Sequence, residues 1–179
     1  MEQIWTIGHS TRSIDNFISA LQPNGIRLIA DVRLTPGSRR YPQFNRESLA
    51  LSLQDKGIAY EHFPELGGRR KPRRDSMNTA WRNEAFRGYA DYMETDAFQN
   101  GIERLVWRVR EAGPTAILCA EAVWWRCHRA LISDLFKSRG VLVTHILDPG
   151  KTEPHPFTSA ARIVKNELTY HGEERDELP

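Results

Sequence analysis

The stretch from Thr115 to Leu147 reads "TAILCAEAVWWRCHRALISDLFKSRGVLVTHIL". It opens on a short apolar run, "TAILCA", of strand length. It closes on another, "VLVTHIL". Between them Arg129 to Ser138 places Leu131, Ile132, Leu135 and Phe136 at helical spacing, so one face of a helix is apolar. A buried strand, an amphipathic helix and a second buried strand make a β-α-β unit, and such a unit requires parallel strands.

The same alternation extends toward the N-terminus. "QIWTIG" is a β-rich run ending at Gly8, and Ser13 is placed to cap a helix with Ile14, Phe17, Ile18 and Leu21 on one face. "RLIADV" (27–32) is a second strand, followed by a loop rich in proline and glycine. Asn45 is placed to cap the next helix, which ends near Gly57, and "IAYEHF" is a third strand. Two helices are expected around Trp81–Met93 and Phe98–Arg110, before the strand that opens at Thr115. The expected fold is α/β: one domain over residues 1–170 with a mostly parallel, Rossmann-like sheet of about five strands and helices on both faces. Residues 171–179, "HGEERDELP", form an acidic tail expected to fray.

Open sheets of this kind bind ligands beyond the carboxyl ends of their strands. Here each of those ends is polar. They carry "GHST" (8–11), Asp31 and Arg33, Glu61 and His62, the segment Cys119–Arg129, and His145 with Asp148. Residues distant in sequence are therefore expected to meet at one edge.

Composition narrows the function classes. No apolar run approaches the roughly 18 residues that span a bilayer, and no secretory leader pattern opens the chain, so a cytoplasmic protein with no membrane partner is expected. Two cysteines cannot build a disulfide framework or a four-thiolate zinc site. The formal net charge is only +2, yet residues 1–90 hold 14 basic and 9 acidic side chains against 11 and 14 in residues 91–179. Of the 25 basic residues 20 are arginine, the side chain suited to bidentate contact with phosphate or carboxylate.

Several motifs stand at the expected edge: "TIGHST" at the N-terminus, "DVR" after the second strand, "YPQFN" and "LGG" in the next segments, and "CAE" followed by "CHR" before a helix. Together they resemble the bacterial family known as domain of unknown function 488. The resemblance runs from about Ile4 to Asp148. It implies an α/β domain of this architecture, with a site built from these motifs.

The residues themselves suggest more than one chemistry. Cys119 at a strand end, before a helix N-terminus, can be an activated thiolate or a buried structural thiol. A Cys-x5-Arg phosphate loop is absent, because the first arginine after Cys119 is Arg126, one position too far. Adjacent residues on a helix point about 100° apart, so Cys127 and His128 need not touch. His128 is placed to meet Glu121 or Asp31 across the turn as a general acid or base. Cys119, Cys127, His128 and His9 match no familiar zinc spacing, and no metal or cofactor is expected. The loop Arg69–Arg74 has five cations in six positions, an electrostatic handle for a phosphate backbone, with Trp81, Tyr89, Trp124 and Trp125 as stacking faces.

The expectation from these features is a small enzyme acting on a phosphate-bearing substrate, nucleic acid or nucleotide. Glu121, His128, Cys127 and Asp31 are its candidate catalytic groups. His9, Ser10, Arg33, Arg126, Arg129, Trp125, Arg69, Arg70 and Arg73 are its candidate binding groups. Two alternatives come from other classes: a non-catalytic nucleic-acid-binding or regulatory protein, and a redox or sulfur-handling protein using Cys119 and Cys127.

Overall fold

The computed structural model describes residues 1–172, so most of the acidic tail lies outside the described residues. The main sheet has six strands in the order β3-β2-β4-β1-β5-β6. They are β1 (Gln3–Gly8), β2 (Leu28–Asp31), β3 (Ala59–His62), β4 (Thr115–Cys119), β5 (Leu142–Asp148) and β6 (Lys151–Pro154). The first five are mutually parallel, and β6 runs antiparallel to β5. A separate hairpin pairs β7 (Arg162–Val164) with β8 (Glu167–Thr169). The fold is therefore α/β and Rossmann-like, with one more strand in its main sheet than expected.

Alternation along the central strands divides the core into two layers. Ile7, Ile29, Ala116 and Leu118 face α1 (Ile14–Leu21) and α2 (Arg46–Gln54), packing on Phe17, Leu21, Leu49 and Leu53. Ile4, Ala30, Ile117 and Cys119 face the other way, toward α3 (Glu84–Met93), α4 (Asp96–Ala112) and α5 (Arg129–Ser138). Strands buried on both faces need continuous apolar sequence. That is why they could be read as apolar runs.

Helix ends follow local chemistry, with two exceptions. Ser13 accepts the Asn16 amide and Thr95 that of Phe98, as caps should. Asn45 stands before α2, but its carboxamide oxygen accepts the Ser38 amide instead. His128 occupies the cap position of α5 and makes no cap bond either, because its ring is turned inward.

The order of connections produces a topological switch. The chain leaves β1 toward β2 on the α1 face, and leaves β4 toward β5 on the α5 face. The two connections diverge from neighbouring strands, opening a crevice at their carboxyl ends. The turns after β1 and β4 line it.

Under β5 a buried polar chain joins α5, β5 and β1 through the connecting segments that hold His155, Thr158 and Tyr170. The Asp134 carboxylate accepts from Thr158, Tyr170 and His155 Nε2, and His155 Nδ1 meets His145 Nε2 at 2.9 Å. His145 Nδ1 lies 2.6 Å from the Thr6 hydroxyl. Anchored at Asp134, each ring donates with Nε2 and accepts with Nδ1. Burial, aided by His155 and Arg129, pushes His145 down to about 2. Burial also lowers His9.

Both shifts make folding pH-dependent. Below about pH 6.5 the unfolded chain binds protons at these histidines that the folded chain excludes, so stability falls with pH. The expected loss is about 1.4 kcal/mol per pH unit for His145 alone below that point. Denaturant titrations at pH 7 and pH 5 should show it, and His145→Gln should flatten the slope; equal stabilities at both pH values would contradict the burial argument.

Candidate functional site

The crevice is a cavity of about 650 Å³ whose walls include His9, Ser10, Arg33, Cys119, Cys127 and His128. Its two main turns are joined by main-chain bonds beyond the strand ends. The His9 amide donates to Cys119 O at 3.0 Å and the Ser10 amide to Ala120 O at 2.9 Å. Ser10 adopts φ 49°, a left-handed conformation uncommon outside glycine. Gly8 has no alternative, since a Cβ there would lie 1.8 Å from Glu121 O.

Cys119, Cys127 and His128 form the centre. Their two sulfurs and a ring nitrogen all lie within 4.8 Å of one another. His128 Nδ1 is 3.6 Å from Cys127 Sγ and 3.9 Å from Cys119 Sγ. Its Nε2 lies 3.2 Å from Val32 O, which can only accept, so the Nε2 proton is fixed and Nδ1 is free to take a proton from a thiol. Gly68, the second glycine of "LGG", lets the loop close on this ring: a Cβ there would be 2.7 Å from Nδ1.

The two thiols differ. The neighbouring Cys127 and His128, together with the charges of His128 and Arg129, hold Cys119 well below the ordinary thiol range despite its burial. Burial pushes Cys127 well above it, and the neighbouring Cys119 adds to the effect.

Arg129 lies beneath this pair at 2% exposure. Its Nη2 donates to Glu121 O and Ala122 O at 2.9 and 3.0 Å, while Nε and Nη1 have no hydrogen-bond partner. Among the described residues no carboxylate pairs with it. A buried cation without an acid needs another anion nearby. Cys119, whose thiol is held low, is the neighbouring group able to supply one.

The other candidates divide into those on the wall and those elsewhere. Asp31 is wholly buried and saturated: Arg33 forks onto it, and the Tyr60 hydroxyl donates at 2.7 Å. His128 makes no hydrogen bond to Asp31 or Glu121; its ring nitrogens face Cys119, Cys127 and Val32 O. Glu121 is exposed on the rim, and the part of it bound by Arg129 is its carbonyl. His9 donates from Nδ1 to Ser10 O, accepts at Nε2 from Arg33, and stacks on Phe44 at 4.4 Å. Phe44 of "YPQFN" is thus a floor under His9, while Tyr41 lines the cavity.

Arg69 and Arg126 are exposed on the cavity wall. Arg70 instead stacks over Tyr92 at 3.6 Å, and Arg73 pairs with Glu94 at 2.6 Å, so the basic loop is pinned at both. Arg73 borders a separate groove of about 730 Å³ with Asn78, Glu94 and Tyr170, which holds no thiol. Trp125 is 53% exposed and packs edge-on against Trp124 outside the cavity wall.

Sequence reasoning missed the contact between Cys127 and His128, because it treated both as helical when they precede the helix. Missed as well was the inward turn of Arg129. The buried Asp134–His155–His145 chain left no sequence signal beyond scattered polar residues in apolar runs.

A family model described as "Domain of unknown function DUF488" matches residues 13–136. The chain belongs to this family. The DUF488 match holds Cys119, Cys127, His128, Arg129 and the Asp31–Arg33 fork, while His9 and Ser10 precede it. No curated protein and no solved structure shows a match. Among the described residues of this DUF488 protein, no helix is long and apolar enough to cross a membrane.

As a metal site the two sulfurs and Nδ1 would offer three ligands. The buried guanidinium of Arg129 opposes a dication there and favours a lone thiolate.

Proposed function

We propose that the protein is a thiol-dependent enzyme acting on a small anionic substrate, with Cys119 as its nucleophile. The observation that carries this reading is the placement of Cys119 on a cavity wall, its Sγ 3.9 Å from Nδ1 of His128, with the carboxylate-free Arg129 nearby. His128 takes the thiol proton on Nδ1 while Val32 O holds the opposite edge of the ring. The thiolate attacks an electrophilic centre in the cavity, and the proton on Nδ1 is then available to the leaving group.

The anionic character of the substrate is supported by Arg69 and Arg126, which are exposed on the wall and, among the described residues, form no ion pair. A phosphate-bearing compound fits this charge. Of the arginines the sequence suggested for the same task, Arg33 is taken up by Asp31, and Arg129 is buried and not among the residues lining the cavity.

Alkylation of the folded protein with iodoacetamide at neutral pH, mapped by peptide mass spectrometry, tests the nucleophile. Cys119 should be labelled while Cys127 stays free, and Cys119→Ser should leave the folded protein unlabelled. Labelling of both thiols only after unfolding would remove the reading.

A further inference from the structure

We infer that Cys127 is the resolving thiol of a two-cysteine cycle at this site, and that the substrate is a small electrophilic sulfur compound, a disulfide or an S-sulfonate. The inference rests on Cys119 being the nucleophile, as proposed above. Its own support is the second sulfur. An ester or phosphoryl intermediate on Cys119 would be released by water and has no use for a neighbouring thiol. A sulfur substituent on Cys119 does, because a thiol is what displaces it.

Cys127 is placed for that displacement. Its Sγ lies within 4.8 Å of Cys119 Sγ, and a disulfide would bring the two to about 2.05 Å. At 3% exposure it sits in the core with Tyr89, Ala130 and Leu131. His128 Nδ1, at 3.6 Å, is its nearest proton acceptor.

The steps balance for a disulfide RS–SR. The Cys119 thiolate attacks one sulfur, forming Cys119–S–SR and expelling RS⁻. Cys127 gives its proton to His128 and attacks Cys119 Sγ, forming the Cys119–Cys127 disulfide and expelling the second RS⁻. The expelled thiolates take up the protons first held by the two cysteines. The protein dithiol loses two electrons and the substrate disulfide gains them. A small external thiol, consumed in a further exchange, restores the dithiol.

Glutathione disulfide, a small anionic disulfide, is the probe. Reduced wild-type protein should end as the internal Cys119–Cys127 disulfide, identified by non-reducing peptide mapping, with both halves of the probe released as thiol. Cys127→Ser, or Cys127→Ala where the serine variant does not fold, should instead hold a stable mixed disulfide on Cys119. Intramolecular attack carries a large effective concentration, so losing Cys127 should slow decay of that adduct by about a hundredfold or more. A wild-type adduct as long-lived as the variant's would overturn the inference. So would an absent adduct on a Cys119 that iodoacetamide labels, with the nucleophile left standing. Failure of iodoacetamide to label Cys119 would instead remove the nucleophile itself.

Discussion

Arg129→Met is expected to raise the pH at which Cys119 becomes reactive by about one unit or more, the usual effect of deleting an opposite charge beside an ionised group. The methionine keeps the apolar stem and removes the guanidinium, which is buried and has no acidic partner among the described residues. Charge compensation then rests on His128 alone. At a fixed neutral pH, a one-unit rise lowers the thiolate fraction, and with it the alkylation rate, by about tenfold. The measurement is the rate of Cys119 labelling against pH for both proteins. Coincident profiles would show that Arg129 serves only to hold the Glu121 and Ala122 carbonyls.

Gly8→Ala should be the most damaging single-methyl substitution in the site. The added carbon would lie 1.8 Å from Glu121 O and 2.9 Å from Arg129 Nη1. A flexible side chain could swing aside, but the first of these is backbone, tied to Arg129 at 2.9 Å. The turn after β4 must then part from β1, breaking the bonds of His9 and Ser10 to Cys119 and Ala120. A loss of about 4 kcal/mol is expected, at the upper end for one substitution and a large share of a domain's stability. Urea unfolding gives the figure directly. A loss below about 1 kcal/mol would mean that the turn yields freely.

Much of the fold was legible because its central strands are buried on both faces and therefore written as unbroken apolar runs. β6, β7 and β8 were not. They are three or four residues long, and their positions are mostly exposed, so neither alternation nor an apolar run marks them. The strand-end rule anticipated that residues distant in sequence would meet at one edge, and His9, Ser10, Arg33, Cys119 and His128 do line one cavity there. It could not say which way each side chain turns. Asp31 looked catalytic by position but spends its oxygens on Arg33 and Tyr60. His128 broke the local rule for a helix cap, which favours short polar side chains, and the departure coincides with its place between two sulfurs.

The margins of the main sheet carry their own consequence. On one side, β3 is only four residues long, and its Glu61 is engaged by Arg104 and Arg108 from α4. On the other, β6 is equally short and ends at Pro154, which has no amide hydrogen to offer. Short, charged or proline-terminated rims resist recruitment of foreign strands. The protein can thus keep an open crevice at the middle of its sheet without inviting aggregation at the periphery.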